Sequence, residues 1–451
     1  MSNLYERARG FIFRFLPLPW YYGREFSQIR SFLESSRHWS REQMQSYKLS
    51  KLRELVRFAG KHVPYYRELF KSEDIDYRDL KSLEEFDQIP PLTKDILFDR
   101  QDDLKADDFE RHRPISTKTS GTTGRVTHLY RSHYQEAFRN AVVWRIYNNW
   151  GVGFRDRIAQ ITNPTAYSLD SPLFEIDRLE NRLVVNSYHI IHEQITEIMH
   201  ELIRFKPKMI WTHPSILGML AEHAQIENFA PLEIPVVATY AAKAFENVKR
   251  IINKSFPTTF KEYYGNRENT ISAWGDSDAT FYEVSEYCHL EVDARAEAES
   301  GEIVSTSLHN YAMPMIRYCP GDIGRNLGFE NEDSPYPKIE LIGGRGKNLL
   351  MGTEGIISPA YFYIYLEKIN FNGLLKYQMV QEELDRVVIK IVPKINYIPE
   401  TDEPILLEAA KKTISENIHF RIEYVSDIPF TKSGKFRQVI SPFVEPHLNR
   451  D

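Results

Sequence analysis

Thr117-Lys118-Thr119-Ser120-Gly121-Thr122-Thr123-Gly124-Arg125 packs five hydroxyl residues, two glycines and a closing arginine into nine positions. The glycines let the backbone turn sharply and approach a ligand closely. Hydroxyls and backbone N–H groups can donate to phosphate oxygens, and Arg125 adds charge. It is not a Walker loop, because no Lys-Ser or Lys-Thr follows the last glycine. Taken alone, the stretch reads equally well as a phosphate cradle or as a glycine-rich turn.

Upstream, residues 25–75 carry a helical pattern. Ser40 with Gln43 fits a capping box, Leu52, Leu55, Val56 and Ala59 fall on one helical face, and Pro64 ends that helix. Residues 76–114 are mixed, punctuated by Pro90, Pro91 and Pro114. Downstream, short β-rich runs (Met209–Trp211, Pro235–Ala238, Gly301–Ser305) alternate with helical segments such as Ile216–Ala224, an α/β arrangement. Trp144, Tyr147 and Trp150, at helical spacing, are expected in the core. Asn331–Pro335 reads as a loop. Beyond Gly343-Gly344-Arg345-Gly346 come a strand-like run, Arg386–Val392, and a helix expected from about Leu406 to Asn417. That is enough for a small separate domain. The expected division is 1–114 as a helical N-terminal part of a large domain, 115–346 as its ligand-binding core, and 347–451 as a small C-terminal domain.

The 451 residues can bury a large core without disulfides or a structural metal. Lys plus Arg is 57 and Asp plus Glu is 63, a net charge of −6 with no basic block, which argues against nucleic-acid binding. Cys288 and Cys319 are the only cysteines, which excludes a disulfide framework and suits a reducing compartment. The apolar stretch Phe11–Tyr22 is interrupted by Arg14, Pro17 and Pro19, so it is neither a spanning helix nor a signal peptide. A strap packed on the domain is favoured over a segment leaning on a membrane surface.

Four further elements carry chemistry. In Tyr263-Tyr264-Gly265-Asn266-Arg267-Glu268 a carboxylate past a strand end suits a metal–nucleotide complex, since Mg²⁺ wants hard oxygen ligands, and Tyr264 could stack on a base. In Met315-Ile316-Arg317-Tyr318-Cys319-Pro320-Gly321-Asp322 a carboxylate after a glycine turn can take both hydroxyls of a ribose. Gly344-Arg345-Gly346-Lys347 sits at the domain boundary. In Pro429-Phe430-Thr431-Lys432-Ser433-Gly434-Lys435-Phe436-Arg437 a lysine beside glycine can reach a cleft and neutralise growing negative charge.

In this order and spacing, the five elements resemble the adenylate-forming superfamily of acyl-CoA synthetases, peptide-synthetase adenylation domains and luciferases. The resemblance covers roughly residues 45–440. Val63-Pro64-Tyr65-Tyr66-Arg67 and Pro90-Pro91-Leu92-Thr93-Lys94 narrow it to the phenylacetate–CoA ligase-like branch, closest to capsular-polysaccharide-associated members. It implies a large domain of β-sheets flanked by helices plus a small mobile α+β C-terminal domain. It also implies ATP-dependent activation of a small or glycan-linked carboxylic acid as an acyl-adenylate, then transfer to a thiol such as coenzyme A or to an amine. Thr119, Ser120, Gly121, Thr122, Thr123, Gly124 and Arg125 would hold the β- and γ-phosphates, Glu268 would sit with Mg²⁺, and Tyr264 and Gly265 near the adenine. Asp322 would hold the ribose, Arg345 would lie close by, Lys435 would bridge carboxylate and α-phosphate, and Lys347 would be the hinge. The location implied is cytoplasmic, with at most peripheral membrane contact.

The chain departs from the pattern in places. Arg125-Val126 stands where Lys-Pro is usual, and an acidic residue is missing near Tyr240–Phe245. The stretch after Lys347 lacks a common Arg-Gly, which bears on the second half-reaction. The cysteine cluster that could bind zinc in many relatives is absent, so no zinc is expected; Cys288 and His289 are merely adjacent. His189 and His192 read as surface or hydrogen-bonded histidines. His213, after Met209–Trp211, is a candidate contact for the substrate carboxylate or an ordinary loop histidine. Two alternatives stay open: an adenylyltransferase that leaves AMP on its acceptor, and a non-catalytic ATP-binding scaffold in glycan assembly.

Overall fold

A computed structural model describes residues 18–118, 127–162, 172–178, 180–186, 192–240, 246–276, 279–293, 300–344, 350–352, 355–357, 373–395, 397–428 and 439–443, with isolated positions between 359 and 371. The chain opens with helices α1 (Leu18–Ser36), α2 (Arg41–His62), α3 (Pro64–Ser72), α4 (Leu83–Phe86) and α5 (Lys94–Asp99). Helix α2 begins on the expected capping box: the Ser40 hydroxyl accepts from the Gln43 N–H, and the Gln43 side chain accepts from the Ser40 N–H at 2.9 Å. Its inner face is Leu52, Leu55, Val56 and Ala59, each fully buried. Burying each of the larger three contributes roughly 1.5–3 kcal/mol. Val63 breaks the helix in an extended conformation, and Pro64 then starts α3 at a first-turn position, where its missing N–H costs nothing. The run expected over 25–75 is therefore three helices. Helices α2 to α5 and the segment Leu308–Tyr318 share one hydrophobic cluster, whereas α1 packs its Phe26, Ile29 and Leu33 into another.

Strands β1 (Ile115–Lys118) and β2 (His128–Arg131) pair antiparallel, with Lys118 opposite His128. Residues 119–126 join them and lie outside the described residues. Helix α6 (His133–Asn149) follows; on it and just past its end Trp144, Tyr147 and Trp150 are buried as expected.

One mixed sheet organises the large part of the chain. Its strands are β3 (Ile158–Thr162), β4 (Phe174–Asp177), β5 (Arg182–Asn186), β6 (Met209–Thr212), β7 (Val236–Tyr240), β8 (Thr259–Gly265), β9 (Ser272–Gly275), β10 (Thr280–Glu283), β11 (Cys288–Asp293), β12 (Gly301–Ser307), β13 (Asp322–Phe329) and β14 (Pro337–Gly344). The spatial order is β11-β12-β13-β14-β10-β9-β8-β7-β6-β3-β5-β4. From β5 through β3, β6 and β7 to β8 the pairing is parallel; beyond β8, and between β4 and β5, it is antiparallel. Helices α7 (His192–Phe205), α8 (Pro214–Ile226) and α9 (Glu246–Ser255) connect the parallel strands and share a second core with them.

The C-terminal part has β15 (Leu350–Gly352) with β16 (Gly355–Ile357), then a four-stranded sheet of order β19-β18-β17-β20. That sheet comprises β17 (Leu374–Glu383), β18 (Arg386–Pro393), β19 (His419–Tyr424) and β20 (Val439–Ile440), with α10 (Pro399–Thr413) packed on it. The helix expected over 406–417 thus begins a turn or more earlier. Pro399 supplies a pre-set first-turn dihedral, and the Asp402 carboxylate accepts the Ile398 N–H at 2.9 Å, so initiation wins over the interior Pro404. The fold class is α/β, a large sheet-and-helix part followed by a smaller α+β part.

Candidate functional site

The parallel strands end along one edge of the sheet, where ligands of open α/β sheets bind. Thr162 lies opposite Asn186, Thr212 opposite Thr239, and Tyr240 opposite Tyr263. His213 follows β6 at this edge. Burial pushes its imidazole down to about 4, so it is neutral at ordinary pH. Tyr240 donates to the Thr162 hydroxyl at 2.9 Å, and its ring stacks on Trp211 at 5.4 Å.

Strand β8 brings Tyr264 and Gly265 to the same edge. Alternation along the strand buries Phe260, Glu262 and Tyr264 on one side. A Cβ on Gly265 would stand 2.6 Å from the Tyr263 ring, so only glycine fits there. The turn after β8 is tied by Asn266, whose side-chain oxygen accepts from the Thr270 N–H at 2.9 Å and whose amide donates to the Thr270 hydroxyl at 2.7 Å. This turn carries Glu268.

The segment Arg317–Cys319 is clamped from both sides. Tyr318 exchanges backbone hydrogen bonds with Ser305 at 2.8 and 2.9 Å. On the other side, Leu92 donates to the Arg317 carbonyl at 2.8 Å and accepts from Cys319 at 3.0 Å. The Pro90-Pro91-Leu92 stretch thus serves as a backbone strap for this element. Arg317 itself has φ of 51°, the left-handed region that a branched chain avoids. Its N–H bonds the Thr306 hydroxyl at 2.8 Å, and its guanidinium pairs with Glu291 at 2.9 Å, which offsets that strain.

These two elements meet through a pair of phenols. Tyr264 donates to Asp322 Oδ2 at 2.9 Å, and Tyr318 donates to Glu268 Oε1 at 2.8 Å. Burial raises both phenols well above their ordinary range, and the carboxylate each one serves raises it further. Both therefore stay protonated and act as donors. Each phenol also feels the other pair's carboxylate, so Tyr264, Glu268, Tyr318 and Asp322 form one electrostatic cluster. Among the described residues, the second oxygen of Glu268 enters no hydrogen bond. A half-buried carboxylate with one oxygen pinned and one available suits a hard cation such as Mg²⁺.

The structure therefore brings together Tyr264, Gly265, Glu268 and Asp322, and sets His213 on the same sheet edge. Thr119 to Arg125, Arg345, Lys347 and Lys435 lie outside the described residues. Nothing in the sequence around Tyr318 points to a role for it, because its contact with Glu268 joins two separate motifs and leaves no local signal. Arg317 pairing with Glu291 is of the same kind.

Residues 349–442 match the family model of the CapK C-terminal domain. Protein CapK of Staphylococcus aureus is 20% identical over 406 residues, covering 86% of this chain and 87% of CapK. Among solved structures, 2-hydroxyisobutyryl-CoA ligase in the postadenylation state with 2-HIB-AMP has a TM-score of 0.62 at 19% identity, covering 88% of this chain and 89% of that one. The same ligase with 2-HIB-AMP and CoA in the thioesterification state has a TM-score of 0.59 at 20% identity, covering 91% and 92%. The chain thus has the adenylate-forming enzyme fold and is related to CapK, whose C-terminal domain family its residues 349–442 match.

Proposed function

We propose that this chain uses ATP and Mg²⁺ to activate a carboxylic acid as its acyl-adenylate, releasing pyrophosphate, and then passes the acyl group to a thiol such as coenzyme A or to an amine. The observation that carries this reading is the cluster of Tyr264, Glu268, Tyr318 and Asp322, which holds two motif carboxylates in fixed orientation at a sheet edge.

In the first step a substrate carboxylate oxygen bonds to the α-phosphorus and the bond to the bridging β-phosphate oxygen breaks. In the second, the acceptor attacks the acyl carbon and AMP leaves. Asp322, oriented by Tyr264, accepts from the ribose hydroxyls. Glu268, oriented by Tyr318, would hold Mg²⁺, which when bound supplies positive charge to the phosphate oxygens. We assign Thr119–Arg125 to the β- and γ-phosphates, Tyr264 and Gly265 to the neighbourhood of the adenine, Arg345 to a place beside the ribose, and Lys435 to the α-phosphate and carboxylate. Lys435 acts where most charge must be neutralised. Lys347 is the hinge about which the domain 347–451 turns against 1–346, withdrawing Lys435 for the second step. Neutral His213 is assigned to the acid, as a hydrogen-bond partner rather than a countercharge. We place the acid among small or glycan-linked carboxylic acids of polysaccharide assembly, and the reaction in the cytoplasm, where ATP is abundant; two buried free thiols suit that compartment. Among the described residues no helix is long and apolar enough to cross a membrane.

The test is ATP–pyrophosphate exchange with aryl, short aliphatic, amino and uronic acids, beside Lys435→Ala. Exchange with one acid class that collapses in the variant supports the reading. Product analysis then separates free AMP from AMP retained on the acceptor, the mark of an adenylyltransferase. ATP binding without exchange on any acid would favour the scaffold instead.

A further inference from the structure

His289 and Glu291 are two apart on β11, so they project from the same face, while Cys288 projects from the other. Asp87, just past α4, comes up against that face. One ligand atom from each of Asp87, His289 and Glu291 lies within 4.8 Å of the others. His289 is 7% exposed, and neither ring nitrogen has a hydrogen-bond partner among the described residues. A buried imidazole with both nitrogens unsatisfied is costly and calls for a ligand. The Glu291 carboxylate stands beside that of Asp87, with the Arg317 guanidinium paired to it at 2.9 Å.

We propose that Asp87, His289 and Glu291 bind one divalent transition-metal ion of the zinc type behind the Arg-Tyr-x-x-Gly-Asp element. An imidazole nitrogen and two carboxylate oxygens are a donor set zinc accepts, leaving an open position for water. With bonds of about 2 Å, ligand atoms sit up to about 4 Å apart, so small side-chain rotations close the site. Arg317 Nη2 and Nε hold Glu291 Oε1 at 2.9 and 3.0 Å, while Oε2 accepts only the longer Nε contact at 3.3 Å and is the oxygen more readily turned to an ion. The absence of a cysteine cluster, which gave the expectation of no zinc, does not bear on this oxygen and imidazole set. Arg317 also donates to the carbonyls of Asp87 and Ile89. An ion here would fasten the 87–92 strap to the backbone that presents Tyr318.

The test is zinc titration of the chelator-stripped protein in competition with a chromophoric zinc chelator. Wild type is compared with Asp87→Ala and His289→Leu. The expected result is one equivalent of zinc, weakened by at least about tenfold in each variant, and a wild-type melting temperature that rises on zinc addition. Asp87 is exposed and its backbone carbonyl is kept in the variant, so Asp87→Ala carries the test alone if His289→Leu misfolds. No uptake by the wild type, or uptake undiminished in a folded variant, overturns the proposal.

Discussion

Replacing Tyr264 by Phe removes a single oxygen, the one that donates to Asp322 Oδ2 at 2.9 Å. The ring remains packed, tilted against Phe281 at 5.5 Å. A hydrogen bond to a charged group contributes about 1.5–3 kcal/mol, and a factor of ten in affinity is about 1.4 kcal/mol. Water can recover part of the loss at this sheet edge, so ATP affinity should fall by about tenfold, with about a hundredfold as the ceiling. Calorimetric titration with ATP measures this without knowledge of the acid. Repeating it with 2′,3′-dideoxy-ATP isolates the cause, because that ligand has no ribose hydroxyls for Asp322 to hold. If Tyr264 acts by orienting Asp322, the variant should lose much less toward the dideoxy ligand than toward ATP. Equal losses toward both would refute the coupling of Tyr264 to ribose recognition through Asp322.

Glu286→Gln should lower stability by about 3–5 kcal/mol in chemical denaturation, because it strands the Arg145 guanidinium, 5% exposed, without its partner. Gly265→Ala forces a Cβ to 2.6 Å from the Tyr263 ring, itself bonded to Ser272, and should cost about 1–3 kcal/mol, read as a lowered melting temperature. His213 has a folded pKa near 4, below its unfolded value near 6.5, so it contributes stability that is present above about pH 6.5 and is lost as pH falls toward 4. A His213→Gln variant should lose less stability than wild type across that window, and imidazole NMR signals should stay those of the neutral ring down to about pH 5.

Local signals were the legible ones. The Ser40–Gln43 box, the Leu52–Ala59 face and the aromatic residues on and just past α6 need only neighbours a few residues away, and the sequence shows those neighbours directly. The helix expected from about Leu406 begins at Pro399 instead; the Asp402 contact with Ile398 that favours the earlier start depends on a rotamer, which spacing does not encode. For the candidate site, motif chemistry singled out Glu268 and Asp322. It gave no hint that Tyr318 serves the first and Tyr264 the second, since each contact joins separate motifs. His289 looked inert for the same reason: its companion Asp87 is about two hundred residues away in sequence and comes from another layer.

Glu286 accepts from Ser36 at 2.6 Å, from Arg145 at 2.6 Å and from Tyr336 at 2.9 Å, joining α1, α6 and the segment before β14 at one buried carboxylate. Its carbonyl also receives the His309 ring N–H at 2.7 Å. During synthesis at about 5–20 residues per second, Ser36 therefore waits some tens of seconds for its partner across 250 positions. Helix α1 can dock on α6 about a hundred residues later, through Phe26, Ile29 and Leu33 against Phe138 and Ala141, but the buried Arg145 of that pair gains its carboxylate only once Glu286 is made.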